Sequence, residues 1–250
     1  MPPGVAIETR PPVTTIRIDR PDHENRLDIA VLGEMTTALA AADADDRVRV
    51  VVITGTGSTF CCGGDIAELA AGDRQSYREF AMLFAALHLR IGDLSKPVLA
   101  AVNGDVRAGG MSLLAICDLA VATRSARFSM PEIRAGLWPV MAMVSLRRVL
   151  SRKRAFELYY LAEPIEASEA RELGLVNWVV SDEDLELEVE RRARQLADLP
   201  RAAVRIGRQT YAEIAGSSLA AAYASSAQRL IELLEDPEVV ASLAGRDSSR

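Results

Sequence analysis

Two turns and one carboxylate carry the chemistry open to this sequence. The first turn follows Val51-Val52-Ile53-Thr54-Gly55 and holds Phe60-Cys61-Cys62-Gly63-Gly64-Asp65. The second follows Pro97-Val98-Leu99-Ala100-Ala101-Val102-Asn103-Gly104 and holds Arg107-Ala108-Gly109-Gly110-Met111-Ser112. In each, a β-branched apolar run reads as a buried strand that breaks and then enters a helix-forming segment. A helix that starts after paired glycines leaves backbone N–H groups without intrahelical partners and without a Cβ to fend off a ligand. Two such groups aimed at one point form a hole for an oxyanion, so the pairs Gly63-Gly64 and Gly109-Gly110 together mark a candidate anion site. The carboxylate is Glu132 in Phe128-Ser129-Met130-Pro131-Glu132, where Pro131 can open a helical turn. Its neighbours Met130, Ile133, Leu137 and Trp138 are apolar. A carboxyl held among them has its pKa raised and can serve as base or acid near neutrality.

Other readings of these motifs fail on their residues. Gly55-Thr56-Gly57 lacks the third glycine of a dinucleotide fingerprint, since position 60 is Phe, and no Lys-Ser or Lys-Thr follows to make a phosphate loop. Ser112 has no G-x-S-x-G elbow, and neither His23 nor His88 has the context of a general base. Cys61 and Cys62 read as small turn and core residues rather than nucleophiles.

These groups need a rigid frame. Strands are expected at residues 13–18, 48–53, 98–102 and 119–123, with a short one around Phe128. Helices are expected at 27–42 with Asp28 as N-cap, at 66–94 with a break near Gly72, and at 109–117. Strand–turn–helix units in succession indicate an α/β architecture with right-handed crossovers. Beyond Leu146 the pattern turns helical, over 147–161, 167–173, 183–197, 202–215 and 217–234, with one strand at 176–180. Residues 236–250 read as a polar stretch, frayed at its end. The division is an α/β core over 1–190 and a helical region over 191–250 that suits oligomerisation.

With 250 residues, 49% hydrophobic and 26% charged, the composition is that of a globular protein. A formal net charge of −6, from 29 basic and 35 acidic residues, argues against nonspecific nucleic-acid binding. No apolar run approaches membrane-spanning length, and Met1-Pro2-Pro3-Gly4 opens no signal-peptide core. The three cysteines, Cys61, Cys62 and Cys117, lack metal-ligand spacing, so the expectation is a reduced cytoplasmic setting with no metal site.

The motifs together resemble the crotonase superfamily, the enoyl-CoA hydratase/isomerase family. The matching stretches are Arg20-Pro21 with Asn25-Arg26-Leu27, VVITG to F-x-x-G-x-D over 51–65, and KPVLAAVNG to AGG over 96–110. CDLAVA over 117–122, F-x-x-P-E over 128–132 and A-x-E-A-x-E-L-G-L-V-N over 167–177 complete the series in family order. The resemblance implies a crotonase-like spiral of ββα units with a helical C-terminal region, assembled as a homotrimer or a dimer of trimers. It implies an acyl-CoA thioester substrate, with coenzyme A as part of that substrate and no separate cofactor. Gly64 and Gly109 would bind the thioester oxygen and Glu132 would be the acid/base. Asn25, Arg26, Leu27, Cys62, Gly63, Asp65, Ile66, Ala108, Pro131 and Trp138 would line the substrate site. Ser112 falls where hydratases of the family carry the first of two glutamates. A serine can hydrogen-bond water but is a poor base, which argues for proton transfer by Glu132 alone rather than full hydration. Thioester hydrolysis, decarboxylation and silent acyl-CoA binding stay open as alternatives, because one scaffold hosts many reactions. The C-terminus also departs from the family, with Pro237-Glu238-Val239-Val240 in place of the usual Phe and Lys-Arg ending.

Overall fold

Strands buried on both faces read as unbroken apolar runs, and the fold is built on three of them. The computed structural model describes residues 4–65 and 70–247. Strands β1 (Val5–Arg10), β2 (Val13–Ile18) and β3 (Val50–Gly55) are followed by a short β4 (Thr59–Cys61), then β5 (Val98–Val102) and a short β6 (Asp105–Arg107). After them come β7 (Leu119–Thr123), β8 (Arg127–Ser129), β9 (Ile165–Glu166) and β10 (Trp178–Val180). The larger sheet has the order β1-β2-β3-β5-β7-β10, parallel throughout except for the β1–β2 hairpin. A smaller sheet, β4-β6-β8-β9, gathers the short strands. Strands β3, β5 and β7 are each followed by a short strand of the second sheet and then by a helix or, after β8, a 3₁₀ turn. That is the spiral of ββα units the resemblance implies.

The helices follow from caps and apolar faces. Asp28 accepts the Val31 N–H at 2.7 Å and starts α1 (Ile29–Ala44), whose inner face buries Val31, Leu32, Met35, Ala38, Leu39 and Ala42. Asp73 does the same for Ser76 at 2.9 Å and starts α2 (Arg74–Asp93), which buries Phe84, Leu87 and Ile91 against α1. Helix α3 (Gly109–Ile116) follows β6 and is buried over most of its length. The opposite face of the large sheet, with Val50, Val52, Leu99, Ala101 and Val121, is covered by α7 (Leu185–Ala197) through Ala193 and Ala197. Between them lie α4 (Ala142–Leu146), α5 (Arg152–Leu161) and α6 (Ala167–Glu172). The chain ends in α8 (Arg201–Ile214), α9 (Leu219–Glu235) and α10 (Pro237–Asp247). Arg208 of α8 donates to Leu94 O at 2.9 Å and Ile91 O at 2.7 Å at the end of α2, and pairs with Asp118 ahead of β7.

Several expectations are corrected. Leu27 precedes α1 and instead bridges to Gly64 in parallel fashion. The helix expected over 147–161 starts only at Arg152, as α5, because Ser151 takes an extended conformation (ψ 152°) as its cap, and α4 ahead of it is unexpected. Residues 237–247, read from the sequence only as a polar stretch, form α10, with Pro237 opening the helix. The expected 190/191 boundary falls inside α7, a helix packed on the sheet.

Gly33 lies inside α1, and a Cβ added there would meet nothing within 4 Å. Gly33→Ala should stabilise the protein by about 0.5–1 kcal/mol, read as a higher urea midpoint at unchanged slope.

Candidate active site

The smaller sheet decides which residues meet. β4 pairs in parallel with β6, and β6 in parallel with β8, so the three chains leave the sheet in one direction. Gly64 follows the end of β4, Gly109 the end of β6 and Glu132 the end of β8. Neighbouring strands lie about 4.8 Å apart, so three residues from distant parts of the sequence arrive at one edge.

The first two bring main-chain donors. Leu27 N–H donates to Gly63 O at 2.7 Å, and Asp65 N–H to Leu27 O at 2.9 Å. This bridge turns the Gly64 N–H away from Leu27. The Gly109 N–H heads α3, where no preceding turn supplies an acceptor. The two loops touch: a Cβ built on Gly63, whose φ is +81°, would stand 2.5 Å from Gly109 N. Ala108 N–H is held by Ser129 O at 3.0 Å, and Ala108 itself has φ 49°, a conformation costly for a residue with a Cβ. Two rings of α2 close the site from above. A Cβ on Gly64 would lie 2.7 Å from Phe80 Cζ, and one on Gly109 3.1 Å from Phe84 Cε2. Both rings escaped the sequence reading, since phenylalanines on an amphipathic helix look like ordinary core.

Glu132 lies in a 3₁₀ turn, Pro131–Ala135, that follows β8 and ends at Gly136 with φ 71°. Burial pushes its carboxyl above the usual carboxylate range, with its own main-chain N–H pulling the other way. Its Oε2 is buried and has no hydrogen-bond partner among the described residues. The turn packs against α5, which brings Tyr159, and the Tyr159 hydroxyl is likewise buried without a partner. Each such atom costs about 1–3 kcal/mol when left unpaired. Burial, and then the charge of Glu132, push the Tyr159 phenol above its ordinary value. Trp138 lies half-buried between, edge-on to Tyr159 with ring centres 5.8 Å apart.

Other expected site residues have different surroundings. Ser112 is fully buried on α3, and its Oγ donates to Ser145 Oγ of α4 at 3.2 Å. Asn25 is fully buried, so its side chain works inside the protein rather than lining a surface. Asn25 Oδ1 accepts the Arg20 N–H at 3.0 Å, while its Nδ2 donates to Thr56 O at 2.9 Å and Thr59 O at 2.6 Å. From the other side Asn103 accepts the Gly55 N–H at 3.0 Å and donates to Gly57 O at 2.7 Å and Thr59 O at 3.1 Å. Asp65 is paired with Arg20 at 3.6 Å, and Arg20 also pairs with Asp28 at 2.9 Å. Arg26 pairs with Glu24, which accepts from Arg107 at 3.0 Å. A cavity of about 210 Å³ lined by Leu27, Asp65, Gly72, Ser76 and Phe80 opens beside these groups. Ile66 lies outside the described residues.

The cysteines of the first turn are held as neutral thiols. Burial pushes Cys61 up to about 12 and Cys62 up to about 11, far from the thiolate needed for attack. Among the described residues no cluster of His, Cys, Asp and Glu could hold a metal ion, and no helix is long and apolar enough to cross a membrane.

Comparison with known proteins identifies the family and the fold. The enoyl-CoA hydratase/isomerase family profile matches residues 8–244. The chain is 33% identical over 224 residues to human "Enoyl-CoA hydratase domain-containing protein 3, mitochondrial", covering 89% of this chain and 74% of that protein. It is 34% identical over 207 residues to the crotonyl-CoA hydratase of Syntrophomonas wolfei, covering 82% and 80%. Its fold superposes on the crystal structure of an enoyl-CoA hydratase from Mycobacterium smegmatis with a TM-score of 0.95 at 33% identity, over 99% of this chain and 97% of that one. By sequence over nearly its whole length, and by fold, this chain belongs to the enoyl-CoA hydratase/isomerase family.

Proposed function

We propose that this protein is an enzyme that converts acyl thioesters of coenzyme A through an enolate. The Gly64 and Gly109 N–H groups bind the thioester oxygen as negative charge develops on it. Each donor contributes about 3 kcal/mol in comparable sites. Glu132, its carboxyl raised by burial, takes a proton from C2 of the acyl chain and returns it at C4. The reaction is the isomerisation of an enoyl thioester, since a single carboxyl acting on an enolate suffices for it. The observation that carries the reading is the common exit of β4, β6 and β8, which delivers Gly64, Gly109 and Glu132 to one edge. Ser112 supports rather than reacts, because its hydroxyl is engaged by Ser145. For assembly the reading is a trimer, in which Leu219 and Tyr223, 76% and 71% exposed on α9, would find cover.

The test is to incubate the protein with a 3-enoyl thioester in D2O and follow the product by mass and NMR. A 2-enoyl thioester carrying solvent deuterium is expected. Substrate recovered unchanged and without deuterium would overturn the reading.

A further inference from the structure

The Glu132 turn and α5 leave two oxygens facing an unmet demand. Tyr159 is only 2% exposed, yet among the described residues its Oη has neither donor nor acceptor, and Glu132 Oε2 is in the same state. The 3₁₀ turn that carries Glu132 packs directly on the helix that carries Tyr159. Trp138 and Phe156 hold the Tyr159 ring in place, with ring centres 5.8 Å and 6.0 Å away. A phenol used only for packing gains nothing from its hydroxyl, and phenylalanine would fill the space without a stranded polar atom. A carboxylate accepts only, whereas a phenol both donates and accepts. Together they suit one neutral oxygen that needs an acceptor on one side and a donor on the other. The position that could have supplied a second acid, Ser112, is closed off by Ser145.

We propose that Tyr159 is an oxygen-binding residue of this site, holding jointly with Glu132 one water, or the acyl-chain hydroxyl that such a water becomes. The inference rests on the enolate reading above and extends it to hydration. The water oxygen forms its bond to C3 while the C2=C3 π pair moves onto the thioester carbonyl. Glu132 accepts one proton of the water and returns it to C2 as the enolate collapses, so one H2O is added in full. Tyr159 keeps its proton and hydrogen-bonds the oxygen throughout. A tyrosine thereby takes the water-holding part that a second glutamate would otherwise play.

Tyr159→Phe removes the hydroxyl and keeps the ring. Calorimetry should show the unaltered protein binding a 3-hydroxyacyl-CoA at least tenfold more tightly than the saturated acyl-CoA of equal length. The variant should bind the two within twofold of each other. Hydration of a 2-enoyl thioester should fall at least tenfold, while isomerisation of a 3-enoyl thioester changes less than threefold. A variant that keeps the hydroxyl preference overturns the proposal, as does an unaltered protein with no such preference. So does an equal loss of both ligands or both reactions, which marks a packing role. Should the enolate reading itself fail, turnover disappears from the unaltered protein while the hydroxyl preference in calorimetry remains, so the two failures are told apart.

Discussion

Replacing Glu132 by glutamine should abolish turnover and at the same time make the protein more stable above neutral pH. The side chain keeps its shape, so loss of function would come from loss of proton transfer. A positioned acid/base contributes a factor of about 10²–10⁴, and kcat on a 3-enoyl thioester should fall by that much. KM should hold, since the thioester oxygen is bound by main-chain donors the substitution leaves alone. The gain in stability follows from linkage. Burial raises the folded-state value of the Glu132 carboxyl above its unfolded value. A carboxyl shifted upward favours the fold most fully below the unfolded value, about pH 4, and that contribution is lost as pH rises through the folded value. Glutamine carries no such penalty. The difference between variant and parent should be small at low pH and grow as pH rises through the shifted value, read as a widening gap between the two melting temperatures. Isomerisation that survives in the variant would remove Glu132 from the mechanism. A melting difference independent of pH would remove the electrostatic account.

The second large effect is expected at Gly63. An alanine there must accept φ +81° and place its Cβ 2.5 Å from Gly109 N and 2.9 Å from Ala108 Cβ. Those neighbours are backbone and the root of a side chain, so one loop has to retreat from the other. Separating the two donors should cost about 10²–10³ in kcat/KM, the loss seen when one oxyanion donor goes. Strain at the left-handed position adds about 1–3 kcal/mol of instability. Turnover is best measured per folded molecule, with the fraction folded set by near-ultraviolet circular dichroism. Activity within threefold of the parent would show that the contact between the loops has no part in catalysis.

How far the sequence reveals this site depends on which signal each residue leaves. The long strands are legible because both faces are covered, so Val50–Gly55 and Val98–Val102 stay apolar without alternation. Strand β1 escapes notice because only Val5 of Val5–Arg10 is buried, and an exposed edge strand can be polar. The four short strands are two or three residues each, less than one period of any pattern, and only the one around Phe128 is expected, although β4, β6 and β8 align Gly64, Gly109 and Glu132. Glycines and a carboxylate are visible by type, so Gly64, Gly109 and Glu132 can be named beforehand. Tyr159 cannot, since a tyrosine on the inner face of an amphipathic helix reads as core. Its hydroxyl gains meaning only when the turn holding Glu132 is laid against α5. Asn25 misleads in the opposite direction: a polar residue in a turn suggests ligand contact, and here the amide is wholly committed to the main chain.

The two asparagines have a wider consequence. Gly55 to Thr59, the link between the two sheets, owes its course to side chains outside it, one amide from ahead in the chain and one from behind. Shape is thus imported rather than intrinsic. Grafting this link alone into a related scaffold would leave its carbonyls unanswered, whereas exchange of the link together with both amides carries the bend intact. The heritable unit at this corner is a noncontiguous trio, and substitutions within it should be tolerated together or not at all.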